Sequence, residues 1–135
     1  MKLWDTNILS ELARRQPHPA LLAWVEAEDE LAISAVTVDE IFFGLTWQPR
    51  PRVAAWLESF IDTRCTVLPV TARIARVGGR LRGRLRAVGQ VRTQADMWIA
   101  ATAEVCSLPL VTRNVKDFED CGIEVIDPWA SERAP

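Results

Sequence analysis

Short apolar runs alternate with helical patterns from one end of this chain to the other, and that alternation restricts the fold more than any other feature. Lys2–Trp4, Leu31–Ser34, Thr66–Val70, Leu108–Thr112 and Ile123–Ile126 read as strands. Helical patterns run from Asp5-Thr6-Asn7 to about Arg14, where Pro17 and Pro19 close the segment, and from about Ala20 to Glu28 on Leu21, Leu22 and Val25. Thr37 is expected to cap a helix carrying Ile41, Phe42 and Leu45, broken by Pro49 and Pro51, with a further helix over roughly Val53 to Ile61. From Thr71 to about Val88 the residues Ile74, Val77, Leu81, Leu85 and Val88 keep helical spacing. Gly78 and Gly79 inside it cost about 1 kcal/mol each relative to alanine, which suggests a kink or a close helix contact, and Gly89 ends it. Thr93 opens a helix to about Val105, and a short one follows near Val115–Asp120. Such alternation implies an α/β fold of three layers, α/β/α, with a mostly parallel central sheet.

The 135 residues suit a single domain spanning 1–135, and 49% hydrophobic residues are enough for a core without disulfides. Net charge is 16 − 18 = −2, so a polyanion would have to be held by a local basic patch or by bound cations. Cys65, Cys106 and Cys121 are odd in number and lack C-x-x-C spacing, which speaks against a disulfide framework or a zinc site and for a reducing cytoplasm. There is no leader pattern and no apolar run of membrane-spanning length, so a cytoplasmic protein without membrane association is expected. His18, the only histidine, lies between Pro17 and Pro19, a poor start for histidine-based hydrolysis.

In parallel sheets the functional crevice lies beyond the carboxyl ends of the strands. Asp5 follows a strand directly, Asn114 and Asp117 follow another, and Glu40 is expected in the first turn of the helix after Leu31–Ser34. Each acid also has an ordinary structural use. Asp5 suits an N-cap, Thr37-x-x-Glu40 and Thr93-x-x-Asp96 have capping-box spacing, and Asp117 suits a helix first turn. Jointly, Asp5, Glu40, Asp96 and Asp117 converge on one sheet edge. At an effective dielectric of about 20, two carboxylates ~4 Å apart repel by roughly 4 kcal/mol, so the cluster must take up protons or bind cations. All-oxygen ligands suit Mg²⁺ or Mn²⁺, which polarise phosphoryl oxygens and acidify bound water.

Asp5-Thr6-Asn7, then Ser34 to Ile41 with Gly44, then Asp96 to Ala103, then Thr112-Arg113-Asn114 with Asp117-Phe118, resemble the PIN-domain toxins in order and spacing. More narrowly, with the Pro128-Trp129 tail, the chain resembles a VapC toxin of the FitB-like branch. The resemblance implies a ribonuclease from a type II toxin–antitoxin pair, in which the matching acids hold Mg²⁺ or Mn²⁺ and activate water against an RNA phosphodiester. It implies Asp5 and Asp96 as main metal ligands, Glu40 as ligand or water-positioning base, and Asp117 as a more variable fourth acid. Thr6, Thr112 and Asn114 become supporting polar groups. A homodimer and inhibition by a small cognate antitoxin are implied as well. Two departures stand out: Trp4 where an aliphatic residue is expected, and Asp39 beside Glu40, two side chains that point about 100° apart on a helix and so do not easily face one metal.

Arg73 to Arg92 is an acid-free run in which Arg76, Arg80 and Arg84 share one helix face. A solvated outer face is its ordinary meaning; contact with RNA phosphates or an acidic antitoxin segment is its functional one. Trp24, Trp56 and Trp98 suit core or dimer-interface positions, Trp47 and Trp129 contact with a partner, and His18 a loop. Two other classes compete. A haloacid-dehalogenase-type phosphotransferase needs a second acid where Asn7 stands and has only Lys2 and Lys116 to draw on. A PIN-like domain that binds RNA or protein without cutting is opposed by the presence of all four acids.

Overall fold

The strands β1 (Leu3–Trp4), β2 (Leu31–Ser34), β3 (Cys65–Leu68), β4 (Leu110–Val111) and β5 (Val125–Ile126) form one sheet in the order β3-β2-β1-β4-β5. A computed structural model describes residues 1–130, so residues 131–135 of the expected 1–135 domain lie outside it. Every strand pairing is parallel, with Leu3 opposite both Ala32 and Leu110, and Trp4 opposite Val111. The helices are α1 (Thr6–Leu12), α2 (Pro19–Glu26), α3 (Ala35–Trp47), α4 (Pro51–Arg64), α5 (Ala72–Ala87) and α6 (Gln94–Val105), with a 3-10 turn over Val115–Phe118.

Successive strand residues point to opposite faces, and here both faces are apolar, as a parallel sheet covered on both sides requires. Trp4, Leu31, Ile33 and Val111 project to one side, where Ile8 and Leu12 of α1, Leu21 and Trp24 of α2, Ile41 of α3 and Leu57 and Phe60 of α4 cover them. Leu3, Ala32 and Leu110 project to the other, beneath Leu81 and Leu85 of α5, Met97 and Ala100 of α6, and Phe118. Each fully buried side chain of this size contributes about 1.5–3 kcal/mol, which is how strands this short are held in register. The three-layer α/β/α expectation is met. Trp4 is wholly buried in the first of these clusters, and its indole N–H has no partner among the described residues.

Two helix starts differ from the sequence reading. The β2 strand ends on Ser34, whose hydroxyl accepts the Val36 N–H at 3.0 Å, so α3 starts at Ala35 rather than after a Thr37 cap. Thr37 is therefore a fully buried helical residue, and Glu40 stands in the second turn, not the first. Helix α4 begins at Pro51 instead of near Val53, because proline's fixed φ suits the first helical position.

Between α5 and α6 the expected close contact is found at Gly78: a Cβ there would lie 2.8 Å from Trp98 Cδ1 and 3.2 Å from the Met97 carbonyl, whereas one at Gly79 meets nothing within 4 Å. Gly89 (φ 82°) ends the α5 helix in the left-handed conformation.

The topology fixes where a site can form. From β1 the chain moves one way across the sheet through β2 and β3, while β4 and β5 lie on the other side of β1. The carboxyl ends of β1 and β4 therefore flank the switch point, where α/β sheets open a crevice. Gly79→Ala is expected to stabilise the fold by up to about 1 kcal/mol through helix propensity, whereas Gly78→Ala destabilises it despite the same propensity gain. Urea unfolding of both variants checks this, and equal shifts would contradict the close packing of the two helices.

Candidate active site: an acidic cleft at the strand ends

Asp5 leaves β1 and becomes the N-cap of α1, its Oδ1 accepting the Thr6 N–H at 2.8 Å. Its other oxygen accepts the Thr112 hydroxyl at 2.7 Å and the Asn7 side-chain amide at 3.2 Å. Thr112 follows β4 directly, is itself fully buried, and accepts the Asn114 N–H at 3.0 Å. The two strand ends at the switch point are thus tied through one carboxylate, which is only 5% exposed. Glu40 reaches the same place from α3. Thr6 Oγ1 lies 2.7 Å from Glu40 Oε1 and 3.1 Å from Thr37 Oγ1. A hydroxyl has one proton, so when Thr6 gives it to Glu40 the Thr37 hydroxyl donates to Thr6.

Asp96 sits in the first turn of α6, whose N-cap Thr93 accepts the Asp96 N–H at 3.1 Å. Thr93 thus caps the helix as its spacing predicted, and Asp96 also lines the cleft with Asp5 and Glu40. Asp117 lies exposed in the 3-10 turn; its charge acts on Asp5 and Asp96, while Asn114 rather than Asp117 lines the cleft. That turn is tethered by Arg92, which donates to the carbonyls of Asp117 at 2.7 Å and Glu119 at 3.1 Å. Arg92, the last of a run whose ordinary meaning is a solvated face, is a clamp. Asp39 points away from the cleft and lies with Phe42, Phe43 and Trp47, as its offset from Glu40 requires.

Burial raises the Asp5 carboxyl above its ordinary range; hydrogen bonds from Thr112 and Thr6 pull it back, and the charges of Glu40 and Asp117 raise it again. Burial also pushes Asp96 up to about 6, opposed by Thr93 and reinforced by Asp5, Asp117 and Glu40. Among the described residues the ion pairs are Lys2–Glu28 and Arg14–Glu11, so none of the four acids has a basic partner. The candidate donors are all oxygen and none is in an ion pair among the described residues, which fits a hard divalent cation. Among the described residues no three acid, cysteine or histidine side chains form a ready-made inner shell.

The basic lining of the cleft is Arg14, Arg50 and Arg113. Sequence reasoning missed all three. Arg113 stood beside the candidate Thr112, a signal that was available; Arg14 ends the short first helix, and Arg50 lies in the α3–α4 link, where nothing local marks a role. Arg76, Arg80 and Arg84 are exposed on α5 and are not among the residues lining this cleft. Trp129 does line it, with Asn7 and Ser10. His18, expected in a loop, is the N-cap of α2, its Nδ1 accepting the Ala20 N–H at 3.2 Å. All three cysteines are free, and among the described residues no helix is long and apolar enough to cross a membrane.

Without divalent metal, the Asp96 carboxyl is expected to titrate near pH 6 by carboxyl NMR, against 3.8 for its ordinary value. Between those values the folded protein holds the proton and the unfolded chain does not, so metal-free stability falls as pH rises through that window. Asp5→Asn is expected to move the Asp96 titration downward. An Asp96 titration at its ordinary value would contradict the clustered field.

The sequence profile of the PIN domain matches residues 2–123. A VapC ribonuclease, Y4jK of Sinorhizobium fredii, is 33% identical over 96% of this chain and 98% of its own. The toxin FitB of Neisseria gonorrhoeae is 28% identical over 96% of this chain and 99% of its own. A crystal structure of DNA-bound VapBC from Salmonella typhimurium superposes with a TM-score of 0.85 at 27% identity, covering 95% of this chain and 98% of that one. This chain belongs to the PIN-domain family and is a relative of the VapC and FitB toxins.

Proposed function

We propose that the chain is a Mg²⁺- or Mn²⁺-dependent endoribonuclease, the toxin of a type II toxin–antitoxin pair, acting in the cytoplasm as a homodimer. The observation that carries this reading is the cleft that Asp5, Glu40 and Asp96 line together, with the charge of Asp117 acting on Asp5 and Asp96 from the neighbouring turn. The names of its relatives, a VapC ribonuclease and a toxin, agree with it. Asp5 and Asp96 are the main ligands, with Glu40 as ligand or water-positioning base and Asp117 adding charge from the turn. A divalent cation held there supplies charge neutralisation at the phosphate and acidifies a water for attack.

The other residues of the cleft hold this arrangement. Thr112 and Asn7 fix one oxygen of Asp5, Asn114 fixes Thr112, and Thr6 orients Glu40. Arg14, Arg50 and Arg113 offer charge to the substrate's phosphates on the cleft walls. The stripe of Arg76, Arg80 and Arg84 adds a phosphate-binding surface outside the cleft. Phe43 and Trp47 of α3, 70% and 74% exposed, give an apolar face suited to a protein partner. Asn7, bonded to Asp5 and Arg113, stands where phosphotransfer of the haloacid-dehalogenase kind needs a second acid.

Induced expression in bacteria is expected to arrest growth, and Asp5→Asn or Asp96→Asn to be tolerated while remaining folded. The purified protein should cut RNA in Mg²⁺ or Mn²⁺ and stop on addition of EDTA. Thr112→Val should lower the cleavage rate about 10–100-fold, the usual cost of losing a group that orients a metal ligand. Equal toxicity from folded variants, or cleavage that persists in EDTA, would overturn the nuclease reading.

A further inference from the structure

The acidic cleft is lined not only by Asp5 and Asp96 but also by Arg113 and Trp129. The Arg113 guanidinium carbon lies 5.0 Å from the centre of the Trp129 ring, and the His18 ring stands 5.7 Å away, tilted at 54°. Trp129 is half-buried against the core cluster beneath α1 and α2, and its backbone N–H donates to Asp127 Oδ1 at 2.9 Å. The indole is thus held against the core, and over its ring lies a guanidinium that forms no ion pair among the described residues.

We propose that Trp129 and Arg113 form a stacking platform for one unpaired RNA base next to the scissile phosphate. This rests on the nuclease reading above and extends it to how the strand is gripped.

Three features point to a nucleobase. An indole and a guanidinium offer flat polarisable faces, on which unpaired bases stack with little regard to identity. The exposed Arg113 charge adds an electrostatic hold on the negatively charged strand. The platform is also held in register with the acids. The Arg113 N–H donates to Asn7 Oδ1 at 3.3 Å, and the Asn7 amide donates to Asp5 Oδ2 at 3.2 Å. One side chain therefore connects the residue that cradles a base with the carboxylate that holds the metal. A base seated on Arg113 and Trp129 places its own phosphate at a fixed offset from Asp5, which is what a defined cleavage position requires.

The test uses the full chain carrying Asp96→Asn, so that strands are bound without being cut. Fluorescence anisotropy is read with a labelled single-stranded oligoribonucleotide and with a series in which one base at a time is replaced by an abasic site. One position is expected to lose about tenfold or more in affinity when its base is removed. Adding Trp129→Ala should weaken the intact strand by a similar factor and abolish the penalty at that position, whereas Trp129→Phe, which keeps an aromatic face, should retain most of both. Circular dichroism confirms that each variant is folded, and the Phe variant carries the test should the Ala variant fail that check. A flat abasic series, a penalty that survives Trp129→Ala, or no measurable binding of the intact strand would overturn the platform. Loss of binding in Trp129→Ala with a flat series would mean that this wall grips the strand backbone, or serves a protein segment, and also counts against it. Failure of the nuclease reading shows separately, as failure of the wild-type protein to cut the same strand in Mg²⁺ or Mn²⁺.

Discussion

Burial of carboxylates in a half-dry cleft, reinforced by their mutual repulsion, is the constraint around which the molecule is arranged. Asp5 is nearly inaccessible to water, and Asp96 keeps its proton to about pH 6 because burial and the neighbouring acids both disfavour its charge. Left to itself such a site would relax by turning its side chains outward. It is prevented from doing so by hydrogen bonds that each come from a different part of the chain: Thr112 from the end of β4, Asn7 and Thr6 from α1, and Thr93 at the start of α6. The acids are thus pre-positioned with their charge uncompensated, which is the condition under which a cation binds with little rearrangement.

The layered core makes that positioning possible. Leu3 and Trp4 anchor β1 from opposite faces, so Asp5, the next residue, has little freedom in where it emerges. Leu110 and Val111 anchor β4 in the same way just before Thr112. The bond between Asp5 and Thr112 therefore joins two rigid strand ends, not two loops. On the second face, Gly78 allows α5 to approach Trp98 and Met97 of α6 closely, which supports the helix that carries Asp96.

Much of this was legible in the sequence because it is written in local patterns. Asp5 directly after an apolar run, the apolar periods of the helices and Gly89 as a stop follow from spacing and residue type, whereas the glycine pair allowed a kink or a contact and only the packing picks out Gly78. Other parts were not legible. Ser34 and Thr37 are both good caps, and only the strand's actual end decides between them; that three-residue difference moved Glu40 from the first turn to the second. Arg92 looked like one more solvated arginine, since nothing in its neighbours reveals the carbonyls of Asp117 and Glu119 that it clamps. Arg14, Arg50 and Arg113 come from a helix end, an interhelical link and a strand end, and only folding brings them to one cleft. Charge density along the chain led instead to α5, whose Arg76, Arg80 and Arg84 lie outside that lining.

The most direct measurement of the central claim is thermal unfolding of the wild type and Asp5→Asn, each with metal removed and with Mn²⁺ near 100 times its dissociation constant. Asparagine leaves the Thr6 N–H with an acceptor but removes the charge and turns an amide N–H toward the Thr112 hydroxyl and the Asn7 amide. The wild type is expected to gain about 2.7 kcal/mol from metal. Asp5→Asn is expected to gain little when metal is added, so that the metal-induced gain of the wild type is lost in the variant. A wild type that metal leaves unchanged, or a variant that gains as much from metal as the wild type, would contradict the claim that this buried acidic cleft is held in readiness for a cation.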